Sequence, residues 1–227
     1  MTEKNAISVD VISDVVCPWC FIGQRRLKKA ISIAGDVEVT VRWRPFQLDP
    51  TIPPEGLDRK SYMVAKFGGE ERLRQAHTRL LEAAADDDIA FALDKIERSP
   101  NTLDAHRVIR WAGGVDLNQQ DRVVAGLFSA YFEKGRDLGD AGVLIDVARE
   151  AGMDASIVET LIATDADRDA VREEIATAQR MGITGVPCFL LEGKYAVVGA
   201  QDAPMLADAM QRVAKAKAEG ALETAAG

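Results

Sequence analysis

Histidine and cysteine are scarce: the 227-residue chain holds two histidines, His77 and His106, and three cysteines, Cys17, Cys20 and Cys188. A structural zinc site takes four ligands, usually two CxxC-like pairs or one pair with histidines. Only Cys17 and Cys20 form a pair, Cys188 stands alone, and both histidines fall where the pattern is helical, so no metal site is expected. Long apolar runs are also lacking; nothing approaches the roughly 20 apolar residues of a membrane span. Ser8 and Asp10 interrupt Ile7, Val9 and Val11 near the start, so a secretory signal is not expected. The expected setting is the reducing cytoplasm, where structural disulfides are rare. Nor is there a basic run: the net charge is −8, which argues against nucleic acid and anionic membranes as partners.

What is present is an ordinary globular balance, 47% apolar and 28% charged, enough for one large domain or one domain with an insertion. Alternation at Ile7, Val9 and Val11, extended by Ile12, predicts a strand over 6–13. Phe21, Ile22, Leu27, Ala30, Ile31 and Ala34 follow at helical spacing and stop at Gly35. Val37, Val39, Val41 and Trp43 alternate again and end at Pro45, giving strand–helix–strand. After the proline-rich "DPTIPPEGL" no strand signal appears through residue 164. Helices are predicted at about 58–85, 101–113, 118–134, 140–151 and 154–163, by apolar spacing. Val123, Val124, Leu127, Phe128, Tyr131 and Phe132 make a broad stripe suited to a bundle core, and Asp140 is placed to cap the next helix. A helix over 165–181 then leads to "PCFLLEG" and "YAVVG", two strands turning at Glu192-Gly193-Lys194. A last helix starts at "DAPMLADAM", and the tail from 221 is expected to fray. With the helical block removed, the order is βαβ–αββα, that of a thioredoxin fold. The expected division is 1–50 plus 165–227 for that α/β domain, and 51–164 for an all-helical insert.

Cys17 and Cys20 bracket Pro18 and Trp19 in "DVVCPWCFIG". The pair follows a strand and opens a helix, the setting of a redox dithiol rather than of two incidental core cysteines. At a helix start, unpaired N–H groups and the positive dipole end favour a thiolate, so Cys17 is expected to be the exposed attacking thiol. Cys20, one turn inward, is then the shielded resolver. Pro18 pre-sets the first turn, and Trp19 adds an apolar face without charge. Asp14 either tunes proton transfer or simply ends the strand as a polar residue. In "GITGVPCF", Pro187 enters a strand, where it cannot serve a central ladder in the usual way. The Val186–Pro187 bond is then either cis or a trans bond opening an edge strand. Cys188 points to the opposite face from its neighbours and reads as a buried inert thiol in preference to a third redox cysteine. His106 either borders the site or packs on its helix.

"SDVVCPWCFIG", "SPNTLDAHR", "LFSAYFEKGRDLGD" and "GITGVPCFLLEGKYAVVGAQ" together resemble the DsbA family of thiol–disulfide oxidoreductases, in particular its FrnE-like branch, over residues 6–210. The resemblance implies a thioredoxin fold with an inserted helical domain, Cys17 as nucleophile, Cys20 as resolver, and Pro187 as a cis-proline facing them. Val186 would offer its backbone to an extended peptide or to glutathione. The related kappa-class glutathione transferases and 2-hydroxychromene-2-carboxylate isomerases have a serine in place of Cys17. "SPNTLDAHR" and the turn from Gly199 to Asp202 also look like segments bordering glutathione there. The presence of both Cys17 and Cys20 favours disulfide exchange over conjugation.

The expected partners are therefore protein disulfides and dithiols or glutathione, with no tightly bound cofactor and glutathione as the candidate co-substrate. A cleft is expected between sheet and helical block, with Cys17, Trp19 and Val186 on its floor and Asn101, Thr102 and His106 at its rim. Two other readings use the same fold: a glutathione-dependent isomerase or transferase, and a holdase with an apolar groove and no turnover.

Overall fold

Alternating apolar residues build β1 (Ala6–Ser13) and β2 (Glu38–Pro45), and α1 (Pro18–Ala34) crosses between them. In the computed structural model, which describes residues 5–221, β1 and β2 pair in parallel from Ala6↔Glu38 to Ser13↔Pro45. The later hairpin supplies β5 (Cys188–Leu191) and β6 (Tyr195–Val198). β5 runs antiparallel to β1, with Val9 opposite Leu191 and Ile12 opposite Cys188. The sheet order is β2-β1-β5-β6, and the closing helix α9 (Ala203–Ala218) starts at Asp202, which accepts from the Met205 N–H at 2.8 Å. The expected fraying tail, 221–227, lies outside the described residues except for Ala221.

Strand alternation divides the side chains between two faces. Ile7, Val9, Val11, Phe189 and Leu191 lie with α1 and α9, while Ile12, Cys188 and Leu190 meet Phe46 and Ala178 of α8 (Arg168–Arg180). Cys188 thus sits on the sheet face away from Cys17 and Cys20, and burial pushes its thiol up from the ordinary range.

Between β2 and α8 the chain forms α2 (Arg59–Phe67), α3 (Glu70–Ala83), α4 (Leu103–Gly113), α5 (Leu117–Phe128), α6 (Ala141–Glu150) and α7 (Ala155–Ile162). Two sequence expectations need correction here. The single helix over 58–85 is two helices, because Gly68 and Gly69 adopt φ 72° and 133°, conformations that glycine reaches without steric cost. The stretch is also not free of strands: β3 (Leu57–Asp58) pairs antiparallel with β4 (Arg98–Ser99). α5 continues as one wide π turn over Ser129–Glu133, and Asp140 caps α6 by accepting from the Gly142 N–H at 2.8 Å.

The stripe from Val123 to Phe132 is fully buried and meets the sheet domain through Phe21. Its ring stacks on Phe128 and Phe132 at centroid separations of 5.1 and 5.9 Å. Burying one such side chain contributes about 1.5–3 kcal/mol, and aromatic pairs add about 0.5–1.5 kcal/mol. The buried apolar residues on the α1 face of the sheet accordingly form one core with most of those of α1, α4–α7 and α9. Two polar side chains fasten it. The Arg107 guanidinium, fully buried, donates to the carbonyls of Leu161 and Thr164 at 2.8 Å and of Ala166 at 2.6 Å, closing the end of α7. Gln120 of α5 accepts from the Trp43 N–H at 2.9 Å and donates to the Trp43 carbonyl at 3.2 Å. Among the described residues, no helix is long and apolar enough to cross a membrane.

Candidate active site

The turn between β1 and α1 places the two cysteines. Cys17 is the N-cap residue of α1, its N–H donating to the Asp14 carbonyl at 3.0 Å, and its own carbonyl accepts from the Cys20 N–H at 3.0 Å. Pro18 occupies the first helical turn, where its missing N–H leaves no bond unmade. The Cys17 thiol lies 3.7 Å from the Val186 carbonyl oxygen, and the Val186–Pro187 bond is cis. One turn beyond Cys20, Gly23 lets the Pro187 ring approach: a Cβ there would lie 3.0 Å from Pro187 Cγ and 3.2 Å from Phe189 Cζ.

Cys17 is not the exposed thiol expected from its position, since only 4% of its surface is accessible. Val186 covers it from the sheet side, and the cleft narrows the remaining approach. Cys20 is enclosed, and burial together with the adjacent Cys17 thiol pushes its own thiol well above the ordinary range. Trp19 stands at the cleft edge, 40% exposed.

That cleft is a cavity of about 460 Å³, within the size range of small-molecule sites, and it is lined by Asp14, Cys17, Pro18, Trp19 and Val186. Its opposite wall comes from α2 and α3, with Arg59, Tyr62, Met63, Lys66, His77 and Arg79, joined by Thr102 and Tyr131. Of these wall residues only Thr102 is expected at the site from the sequence; Tyr131 is read there as bundle core and His77 as a helical histidine. Their apolar neighbours on α2 and α3 carry the same helical spacing as bundle-core residues, which conceals a wall that faces a cavity. The lone usable signal was the excess of cationic side chains in "DRKSYMVAKF" and "RLRQAHTR".

Two expected rim residues lie elsewhere. His106 is buried behind the floor, with Nε2 2.9 Å from the Phe46 carbonyl oxygen and 3.5 Å from Asp14 Oδ1. It packs between α4 and the end of β2 and does not line the cleft. Asn101 ties loops together: Nδ2 donates to the Ile52 carbonyl at 2.6 Å, and Oδ1 accepts from the Leu103 N–H and from Gln47 Nε2, each at 3.0 Å. Asp14 does reach the cleft, and its Oδ2 accepts from the Leu48 N–H at 2.8 Å. Its structural tie to the segment after β2 is therefore visible.

A helix-opening CxxC beside an X–Pro strand entry, on a thioredoxin-type sheet with a helical insert, defines a class of thiol–disulfide proteins. The model of the DSBA-like thioredoxin domain matches residues 8–211, and the chain belongs to that family. It is 28% identical to a probable DsbA oxidoreductase of Streptomyces coelicolor, covering 97% of this chain and 93% of that one with a TM-score of 0.83. Two further solved structures share the fold. A 2-hydroxychromene-2-carboxylate isomerase is 20% identical, with 93% and 98% of the two chains covered and a TM-score of 0.71. The cytosolic disulfide reductase DsbM of Pseudomonas aeruginosa, solved with glutathione, is 16% identical, with 96% and 100% covered and a TM-score of 0.58.

Proposed function

We propose that this protein is a thiol–disulfide oxidoreductase in which Cys17 is the nucleophile and Cys20 the resolving thiol. The observation that carries the reading is the position of Cys17: at the start of α1, on the cleft floor, with the Val186 carbonyl 3.7 Å away and Cys20 one turn inside the helix. In the oxidised protein a substrate thiolate attacks the Cys17 sulfur. The Cys17–Cys20 bond breaks, and its electron pair leaves on Cys20, which takes a proton. A second substrate thiolate then attacks the substrate sulfur of the mixed disulfide and releases Cys17 as a thiolate. Two thiols become one disulfide while the protein disulfide becomes a dithiol, and the reverse sequence oxidises the protein.

The Val186 backbone carbonyl is the polar group that would hold an incoming extended backbone, and Pro187, set by its contact with Gly23, keeps it in place. Trp19 and Pro18 shape the floor, and Asp14 is the titratable group placed to relay a proton there. Protein disulfides and low-molecular-weight thiols such as glutathione are the substrates in this reading, in the cytoplasm; the glutathione-bound, cytosolic DsbM neighbour is compatible with both. Cys17→Ser is expected to abolish insulin reduction and exchange with small disulfides. Cys20→Ser is expected to accumulate mixed disulfides, visible as mass-shifted adducts. Retained turnover in Cys17→Ser would sink the assignment.

A further inference from the structure

Each exchange cycle asks the Cys20 sulfur to take up a proton or to give one away, and the cleft offers it no access. Cys20 is 1% exposed and does not line that cavity. Its other side is built differently. Alternation along β1 carries Ser13 onto the face that Ile7, Val9 and Val11 turn to α1, and Ser13 is 4% exposed there. Burial, and after it the Cys17 thiol, hold Cys20 well above its ordinary range; the Ser13 hydroxyl and the Asp14 N–H pull the other way. In this structure, where Cys20 is a thiol, Ser13 Oγ is buried without a hydrogen-bond partner, a costly state for a hydroxyl. It is placed to donate once the sulfur carries charge.

Behind Ser13 lies a cavity of about 10 Å³, which Ser13 and His106 line together with mostly apolar residues. Such a space holds a single water when two or more polar groups are there to bind it. His106 Nε2 lies 2.9 Å from the Phe46 carbonyl oxygen, which can only accept, so in the neutral ring Nε2 carries the hydrogen and Nδ1 is the acceptor. Nδ1 has no hydrogen-bond partner among the described residues. The same ring also lines a rear groove of about 810 Å³ between β2, α4 and α7, rimmed by the exposed Arg42 and Val115. Asp14 Oδ1, itself without a hydrogen-bond partner, faces the ring 3.5 Å from Nε2. Arg44 of β2 lines both spaces but is paired with Asp10 and with Glu174 of α8. On α4 itself, Arg107 is turned to the carbonyls at the end of α7, and Arg110 to Asp167 and Glu174. An imidazolium at this place is therefore balanced by Asp14.

We propose that Cys20 exchanges its proton through the back of the molecule, by way of Ser13, one water in the small cavity and His106, and not across the cleft. When a mixed disulfide is resolved, the Cys20 proton passes to Ser13 Oγ, the Ser13 proton to the water, and a proton of the water to His106 Nδ1. Cys20 becomes a thiolate and His106 an imidazolium. The thiolate attacks the Cys17 sulfur, the Cys17–Cys20 bond forms, and the substrate sulfur leaves with the electron pair. The extra proton on His106 is then lost to water in the rear groove. When the protein disulfide is reduced, the proton runs the opposite way, from the groove to Cys20. This assignment rests on the thiol–disulfide reading and adds two residues to its machinery.

The test mixes the reduced protein with one equivalent of dithiobis(nitrobenzoate), whose coloured thiolate is released twice. The first release reports attack by Cys17, and the second reports attack by Cys20 on the mixed disulfide. Moving a proton from Cys20 to His106 leaves the number of bound protons unchanged, so the second phase is expected to be nearly flat from pH 7 to 8. A Cys20 that loses its proton to bulk water instead reacts about tenfold faster per pH unit below its pKa. Ser13→Ala and His106→Gln are each expected to slow the second phase relative to the first by roughly tenfold or more at pH 7, and to give it that steep dependence. Ser13→Thr, which keeps a hydroxyl, is expected to restore part of the rate. A steep second phase in the unaltered protein overturns the relay, and that measurement needs no variant to fold. A flat second phase retained in folded Ser13→Ala or His106→Gln also overturns it. If the unaltered protein shows no second release, the thiol–disulfide reading falls, and the relay with it.

Discussion

Cys17 and Cys20 are the same chemical group in two surroundings. Cys20 has no contact with the cleft, and its burial favours the neutral thiol, so at any given pH less of it is thiolate than of an ordinary cysteine. Because its value is raised, reactivity toward iodoacetamide is suppressed through neutral pH and emerges only above the usual thiol range. Mass spectrometry of the reduced protein alkylated at pH 7 is expected to find Cys17 modified first, with Cys20 following only as the pH is raised well past 9. Cys20 labelled ahead of Cys17 would contradict this order. The dithiol could be found in the sequence because its setting is local: two residues of spacing, a strand before and a helix after. Arg59, Asn101 and His106 could not be placed that way. What each does depends on groups brought near by the fold, Tyr131 for Arg59, Ile52 and Gln47 for Asn101, and Phe46 for His106.

The elements carry the site by how closely they approach. Gly23 sits inside α1, where alanine would favour the helix by about 1 kcal/mol. Yet an added methyl meets the Pro187 ring at 3.0 Å and Phe189 at 3.2 Å, both in packed surroundings. Overpacking of this kind costs about 1–3 kcal/mol. Gly23→Ala is therefore expected to lower the melting temperature by a few degrees and to slow disulfide exchange, because Pro187 and the adjacent Val186 carbonyl move relative to Cys17. A variant of raised stability and unchanged exchange rate would show that the contact gives way freely. Most elements were legible in the sequence since apolar periodicity is strong in β1, β2, α1 and α5. The β3–β4 pair was not, because two residues are too few for alternation to register. The division of α2 from α3 was written in Gly68-Gly69 but was overridden by the helical pattern on either side.

For the whole molecule, the expected boundary between residues 1–50 plus 165–227 and residues 51–164 runs through shared packing. Phe21 belongs to α1 and its partners Phe128 and Phe132 to the helical block, within one buried cluster. Thermal unfolding followed by far-ultraviolet circular dichroism and by tryptophan fluorescence is expected to give coincident single transitions. Trp43 reports the sheet and Trp111 the helical block, so two separated transitions would show independent units. The βαβ–αββα succession and the helical insert were readable from the periodicities, whereas the packing of Phe21 on Phe128 and Phe132 was not, because no pattern along the chain says which apolar stripes face each other. The same helical block also covers one edge of the sheet. β2 is one of its two edge strands, and the Gln120 side-chain amide offers Trp43 one acceptor and one donor, just as the peptide group of a further strand would. An unfolded or neighbouring chain arriving at that margin finds the N–H and carbonyl of Trp43 already taken, which works against intermolecular β-pairing along the second half of the strand. A single glutamine thereby contributes to how concentrated the protein can become before it polymerises.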